Sequence, residues 1–215
     1  MTLVGEAQAR AWFHDSLGCD AQMLQRLEQF VALLTAENAR QNLVSSASLA
    51  DVWVRHLADS AQLPSIAGEV IGSWLDLGSG AGFPGLIVAM LCPERPVVLV
   101  ESRRKRSDWL ARAIDRLMLD NVRIEARRLE ELPSFGAGVI SARAFAPLPR
   151  LVALSARFST PETMWLLPKG RIGPTELLAM PEAVRAMFHV EPSVTDPEAA
   201  LLVGRGVPPV GKSAP

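Results

Sequence analysis

Cysteine is nearly absent from this 215-residue sequence, with only Cys19 and Cys92 present. Two cysteines make no disulfide framework and no metal-ligand spacing, so both are read as ordinary buried thiols of a reducing compartment. Net charge is lacking too: 22 Lys and Arg stand against 23 Asp and Glu, for a total of -1. No global field then draws the chain to nucleic acid or membrane, and any such binding must rest on a local patch. The longest apolar run, Leu86 to Cys92, has seven residues, against the ~20 that span a bilayer as a helix. The first residues, MTLVGEAQAR, lack a basic region followed by an apolar core, so no secretory leader is expected and the location is expected to be cytoplasmic. The three histidines, His14, His56 and His189, form no ligand constellation, and no metal is expected. Internal repeats and low-complexity linkers are missing as well.

What is present is ordinary globular composition, 49% hydrophobic and 21% charged, in a length that suits one large domain with a small extension. The first 65 residues read as helices. Met23, Leu24, Leu27, Phe30, Val31 and Leu34 recur every three or four positions behind Asp20, a candidate N-cap. Leu49, Val52, Trp53, His56, Leu57 and Ser60 predict a second amphipathic helix, after a polar loop spanning 36–48. From Val70 the pattern changes. Short apolar strands at 71–77, 97–101, 122–126, 138–141 and 164–167 alternate with helices at 84–92, 103–119 and 147–157. Such alternation implies βαβ units and a mostly parallel sheet with helices on both faces. Residues 185–190 and 199–203 are expected to finish it as an antiparallel pair, and 206–215 to form a flexible tail. The expected division is therefore 1–65, 66–205 and 206–215.

The stretch WLDLGSGAGFPGLIV, residues 74–88, holds the chemistry. A strand feeding a glycine turn feeding a helix is a cofactor cradle, since glycine lets backbone approach a ligand and the helix start offers free N–H groups. From Gly80 it satisfies G-x-G-x-x-G, and from Asp76 it satisfies D-x-G-x-G-x-G. Glu101, 19 residues beyond Gly82 at the next strand's end, supplies the ribose-binding acid under either reading. Asp76 tilts the balance. A carboxylate two positions before the first glycine can organise the loop and face a cation, which suits the sulfonium of S-adenosylmethionine better than a pyrophosphate. Little chain remains for a separate substrate domain. The expected fold is a Rossmann-like class I S-adenosylmethionine-dependent methyltransferase with an N-terminal helical extension.

Other segments then form a recognisable set: NLVS at 42–45, VRHLADS at 54–60, ARAFAPL at 142–148 and LLPKG at 166–170, with GSGAGFPG at 78–85 the most specific. Over roughly residues 25 to 205 the chain resembles the ribosomal RNA small-subunit methyltransferase G family, also called glucose-inhibited division protein B. The resemblance implies transfer of a methyl group from S-adenosylmethionine to N7 of one guanine in 16S rRNA. The partner would be the small ribosomal subunit or an assembly intermediate, and the protein is expected to be a monomer. It also implies catalytic roles near the substrate or cofactor for Asn42, His56, Arg143 and Lys169, with Arg143 a cofactor-binding residue as well.

Position assigns the remaining candidates. Gly78, Gly80, Gly82 and Phe83 would lie along the methionine end of the cofactor, and Glu101 would accept the ribose hydroxyls. Leu129 and Glu130, after the third strand, would flank the adenine. Arg143 and Lys169 follow the fourth and fifth strands at the ligand-binding edge, where a planar guanidinium suits guanine O6 or phosphate. Phe145 is a candidate for stacking on a base, with core packing as the alternative. Residues 103–128 hold nine Lys or Arg against four Asp or Glu. Within them Arg103, Arg104, Lys105 and Arg106 crowd an expected helix N-terminus, where the macrodipole disfavours cations. That placement points to RNA phosphates. The sequence lacks the Asn/Asp-Pro-Pro-aromatic motif of amino methyltransferases and the Pro-Cys nucleophile of cytosine-C5 enzymes. The alternatives left open are a class I methyltransferase with another substrate and a non-catalytic RNA-binding assembly factor.

Overall fold

A computed structural model describes residues 2–209. Four helices precede the sheet: α1 (Gly5–Asp15), α2 (Ala21–Asn38), α3 (Ser46–Ala50) and α4 (Asp59–Ala67). Asp20 caps α2, its Oδ1 accepting the Met23 N–H at 2.7 Å, a contact of the kind worth about 1 kcal/mol. The helix runs three residues into the expected loop because that last turn has tertiary partners. Glu37 is buried there and pairs with Arg112 at 2.9 Å. The helix expected over Leu49–Ser60 is instead broken into α3, a π-helical turn at Trp53–Ala58, and α4. The wider turn buries Trp53, Val54, His56, Leu57 and Ala58 together, which a regular helix with one apolar face would not.

The sheet comprises β1 (Trp74–Leu77), β2 (Val97–Val100), β3 (Val122–Glu125), β4 (Val139–Ala142), β5 (Met164–Gly170), β6 (Phe188–Pro192) and β7 (Ala200–Arg205). Their order is β3-β2-β1-β4-β5-β7-β6. The first five strands are parallel, and β7 enters antiparallel to both β5 and β6. Strands β1, β2 and β4 are buried throughout, as expected of strands covered by helices on both faces. Between them run α5 (Gly85–Leu91), α6 (Arg104–Leu117) and α7 (Leu148–Ser155), followed by α8 (Gly173–Leu178) and α9 (Glu182–Arg185). The last two helices were not anticipated. Since α9 occupies Glu182–Arg185, the strand expected at 185–190 begins only at Phe188. Gly206, expected in a tail, is anchored: its N–H donates to the Thr163 carbonyl at 2.9 Å and its carbonyl accepts from Trp165. The rest of that expected tail from 210 onward lies outside the described residues.

Two apolar clusters cover the two faces. One joins Phe13, Leu27, Phe30 and Leu57 of the N-terminal segment to Trp74, Leu86 and Trp109. The other packs Leu75, Leu77, Ile140, Leu151 and Trp165 beneath α7, α8 and α9. Phe30 meets Phe83 at 5.4 Å and Trp109 at 6.3 Å between ring centroids. The N-terminal helices therefore complete the sheet's core. Among the described residues no helix is long and apolar enough to cross a membrane.

Candidate active site

The turn after β1 is tied to the neighbouring strand: the Gly78 and Ser79 N–H groups both donate to the Val100 carbonyl, at 2.8 and 3.2 Å. Gly78 sits at φ +68°, and a Cβ there would meet Cδ2 of Phe145 at 2.8 Å. Only glycine lets the Phe145 ring lie on this turn. Glu101, 5% exposed at the end of β2, accepts the Gly80 N–H at 3.1 Å and the Arg103 N–H at 2.8 Å. One carboxylate thus fixes both the glycine turn and the start of α6. A carboxylate offers about four lone-pair sites, so two hydroxyls can still be accepted beside these donors.

Gly78 and Glu101 line a pocket of about 460 Å³ with Leu129, Glu130, Phe145 and Pro147. It lies at the carboxyl ends of β1, β2 and β4, where ligands bind in open α/β sheets. Arg103 and Arg106 line it too, with Arg127, Arg128 and Arg150, whereas Arg104 and Lys105 face outward. The basic run expected to grip RNA is therefore divided between a pocket rim and an exposed helix end.

Asp76 corrects an expectation. Side chains alternate along β1, and Asp76 shares the α5 side of the sheet with Trp74 while Leu75 and Leu77 face the other cluster. Its Oδ1 accepts from Ser141 at 2.8 Å and its Oδ2 from the Gly85 N–H at 3.2 Å. Burial pushes its pKa up, against the lowering by Ser79, Ser141 and Gly85. The carboxylate organises the loop but does not face the pocket. A Cβ at Gly85 would come within 2.7 Å of that Oδ2 and 2.2 Å of Leu99, which explains the last glycine of the run. Phe83, expected along the cofactor, is buried against Phe30, and His56 stacks on its ring at 4.8 Å. Gly80 and Gly82 also lie off the pocket lining, and Gly82 is covered by Leu86.

On the other side of the segment 143–147 lie two further concavities. Arg143, at the end of β4, is held by Asp59, with 3.4 Å from Nη1 to Oδ2, and its Cζ lies 4.9 Å from the Phe83 centroid. Burial lowers the Arg143 pKa and raises that of Asp59, while each partner's charge opposes the shift of the other. His56 is 8% exposed, and neither ring nitrogen meets a partner among the described residues. Burial, then Arg143 and Arg55, push its pKa down to about 3, so the ring is neutral at pH 7. These three side chains line a cavity of about 220 Å³ with Gln62, Ser193 and Thr195. Lys169 reaches the other way. Its Nζ donates to the Ala146 carbonyl at 3.1 Å and lies 2.8 Å from Glu176, bordering a shallow hollow of about 530 Å³ with Phe145 and Ile172.

Asn42 does not join this group. It is exposed and makes no side-chain hydrogen bond among the described residues, because Asn38 holds the loop instead. Asp59, Gln62, Ser141 and Thr195 were missed. Asp59 was within reach, since VRHLADS puts it three residues after His56 on a helical segment. Thr195, in the connection between β6 and β7, had no such signal. Among the described residues no group of three His, Cys, Asp or Glu is arranged to hold a metal ion.

The family model described as rRNA small subunit methyltransferase G matches residues 23–198. A relative named ribosomal RNA small subunit methyltransferase G in Novosphingobium aromaticivorans is 56% identical over 95% of this chain and 90% of its own length. One of the same name in Erythrobacter litoralis is 57% identical over 94% and 96%. Among solved structures, a cofactor-bound protein from MTB covers 95% of this chain and 99% of its own with TM-score 0.63 at 14% identity. A SAM-dependent O-methyltransferase from Thermotoga maritima covers 72% and 66% with TM-score 0.52, also at 14% identity. The structural likenesses support the Rossmann-like methyltransferase fold. With the family model spanning most of the sequence and relatives above half identity along nearly its whole length, this chain belongs to the rRNA small subunit methyltransferase G family.

Proposed function

We propose that the protein transfers the methyl group of S-adenosylmethionine to N7 of one guanine in 16S rRNA. Its substrate would be the small ribosomal subunit or an assembly intermediate, met as a monomer in the cytoplasm. The observation that carries this reading is the meeting, along one sheet edge, of the Glu101 pocket with buried His56 and half-buried Arg143 and Asp59 in a chain of this family. The pocket fits the cofactor: an acid stands at the end of β2, Leu129 and Glu130 follow β3, and Gly78, with the Phe145 ring lying on it, borders the cavity.

When bound, S-adenosylmethionine supplies an electrophilic methyl on a sulfonium. Guanine N7 carries an in-plane lone pair and no proton, so no general base is required of the chain. What the residues contribute is alignment, an entropic effect that reaches roughly 7–11 kcal/mol in favourable cases. Glu101 and the Gly78 turn would hold the donor. Arg143, fixed by Asp59 and packed on Phe83, and Lys169, fixed on Ala146, hold the segment between pocket and substrate side. Arg104 and Lys105, exposed at the start of α6, would contact phosphate.

The test is label transfer from S-adenosylmethionine to small subunits lacking the modification, with deproteinised 16S RNA in parallel. Label at a single guanine N7 is expected. Both substrates remaining unlabelled would overturn the proposal.

A further inference from the structure

Helices α2 and α6 pack side by side in opposite directions. Gln29, early in α2, donates from Nε2 to the Arg116 carbonyl near the end of α6 at 3.2 Å. Gln41, just past α2, donates to the Lys105 carbonyl at the start of α6 at 3.1 Å. Between these ties lies a hollow of about 240 Å³, with Leu33, Ala36, Trp109 and Ala113 as its floor and Arg40, Arg112 and Arg116 on its rims. We infer that this seam is a docking surface for RNA, a track that holds the phosphate backbone flanking the target nucleotide. The inference rests on the rRNA reading and deepens it, by naming a surface outside the cofactor pocket.

Charge is the first argument. Lys105, Arg112 and Arg116 are spaced by seven and four residues, so one face of α6 carries all three. With Arg40 they set four cations against one carboxylate, Glu37, on a chain whose total is -1. The acids of α6 lie elsewhere. Asp115 lines a hollow on the opposite flank with Ala111 and Ile114, and exposed Asp108 does not line the seam. Arg112 and Arg116 stand four residues apart, where like charges repel. Among the described residues Arg40, Lys105 and Arg116 form no salt bridge. Cations gathered without counter-ions suit a partner that brings its own anions.

Geometry is the second. Glu37, 8% exposed, accepts from Gln41 Nε2 at 2.7 Å and holds Arg112 at 2.9 Å. A guanidinium has five donors, and the Arg112 side chain remains half exposed. It is therefore fixed on one side and open to a ligand on the other. Lys105 and Arg116 are eleven residues apart, about 16 Å of helix at ~1.5 Å per residue. That reach suits several nucleotides of one strand better than a single phosphate. The head of the track meets the cofactor pocket, because Arg103 and Arg106 line that pocket beside Lys105. A strand on the seam thus arrives at the rim of the site. An anionic lipid surface is gripped most firmly where exposed apolar side chains insert beside the cations. None of the exposed large hydrophobic residues lies in this seam.

Arg40→Gln with Arg116→Gln tests the track, since neither substitution strands an ion-pair partner. Binding to small subunits and to deproteinised 16S RNA is measured across salt concentrations. The slope of log K against log salt should become shallower by about 1.4–1.8 for two lost phosphate contacts. KM for subunits should rise several-fold, with kcat and the S-adenosylmethionine Kd within about twofold. Arg185→Gln with Arg205→Gln removes the same charge at α9 and β7 and should leave the slope as in wild type. An unchanged slope in the seam variant, or an equal loss in the control, would overturn the assignment. So would phosphatidylglycerol vesicles that need Arg40 and Arg116 while RNA does not. In the wild-type protein, 16S RNA should shield Arg40 and Arg116 from a dicarbonyl reagent, read by mass spectrometry. Equal modification with and without RNA would overturn the track even if the double variant fails to fold. Shielded arginines in a protein that transfers no label would support the track and count against the guanine-N7 reaction.

Discussion

Glu101 holds two backbone N–H groups at once, so its substitutions separate binding from architecture. Glu101→Gln keeps one acceptor and the side-chain volume. Loss of a charged hydrogen-bond partner typically costs about 1.5–3 kcal/mol, so calorimetry should show S-adenosylmethionine binding weakened roughly ten- to 150-fold with little change in melting temperature. A cofactor Kd within twofold of wild type would remove Glu101 from the ribose site. His56 sets a different signature. Its folded pKa, about 3, lies below the ordinary value near 6.5. The unfolded chain therefore binds the extra proton first, and the stability contribution is complete above pH 6.5 and lost as pH falls toward 3. Between pH 7 and pH 5 this costs at most about 2 kcal/mol. Asp59 and Asp76, whose pKa values burial raises, act in the opposite sense, so the His56 part must be read as a difference. Urea unfolding of wild type and His56→Phe at the two pH values should show a shallower acid loss in the variant; parallel curves would contradict a buried neutral ring.

Among the elements, the loop between α2 and α3 shows how neighbouring asparagines divide structure from recognition. Asn38 Oδ1 accepts from the Leu43 and Val44 N–H groups at 2.9 Å each, and its Nδ2 donates to the Val44 carbonyl at 3.1 Å. At about 0.5–1.5 kcal/mol per bond, Asn38→Ala should destabilise the protein by about 2–4 kcal/mol, while exposed Asn42→Ala should change denaturant stability by less than about 0.5 kcal/mol. Similar losses for both would mean Asn42 is structural. The α6 entrance divides likewise. Arg104→Glu with Lys105→Glu should weaken rRNA binding and flatten its salt dependence by about 0.7–0.9 in slope per phosphate contact, leaving cofactor affinity unchanged; Arg106→Glu, on the pocket rim, should alter cofactor binding. Sequence periodicity was informative about elements and poor at directions. The βαβ order and the Asp20 cap were legible because apolar spacing and capping are local properties. That Asp76 turns toward α5 depends on strand alternation relative to a helix not yet placed, and the π-helical turn depends on burial from all sides. The meeting of Asp59 with Thr195 is 136 positions apart, a distance no local pattern spans.

At the scale of the molecule, the N-terminal helices and the sheet share one apolar cluster rather than meeting across a seam. Phe30 of α2 lies fully buried between Phe83 of the glycine turn and Trp109 of α6. The π-helical turn meanwhile brings His56 to the wall of the cavity beside Arg143, and the Gln41 side chain donates to the Lys105 carbonyl at 3.1 Å. We expect the segment 1–65 to act as an extension that folds with the remainder and not as a separate unit. Phe30→Ala would leave a cavity costing about 3–5 kcal/mol. In native-state hydrogen exchange, amides of α2 and of β1 and β4 should then lose protection by the same amount, since one cooperative unit opens at one free energy. If only the helical amides lost protection while the strands kept theirs, the N-terminal segment would be an independent unit, and the placement of His56 and Asp59 beside Arg143 would depend on docking. Coincident loss would instead mean that the glycine turn and the Arg143–Asp59 pair are fixed by the same core, so that damage at Phe30, which the observed packing places behind Phe83, loosens both together.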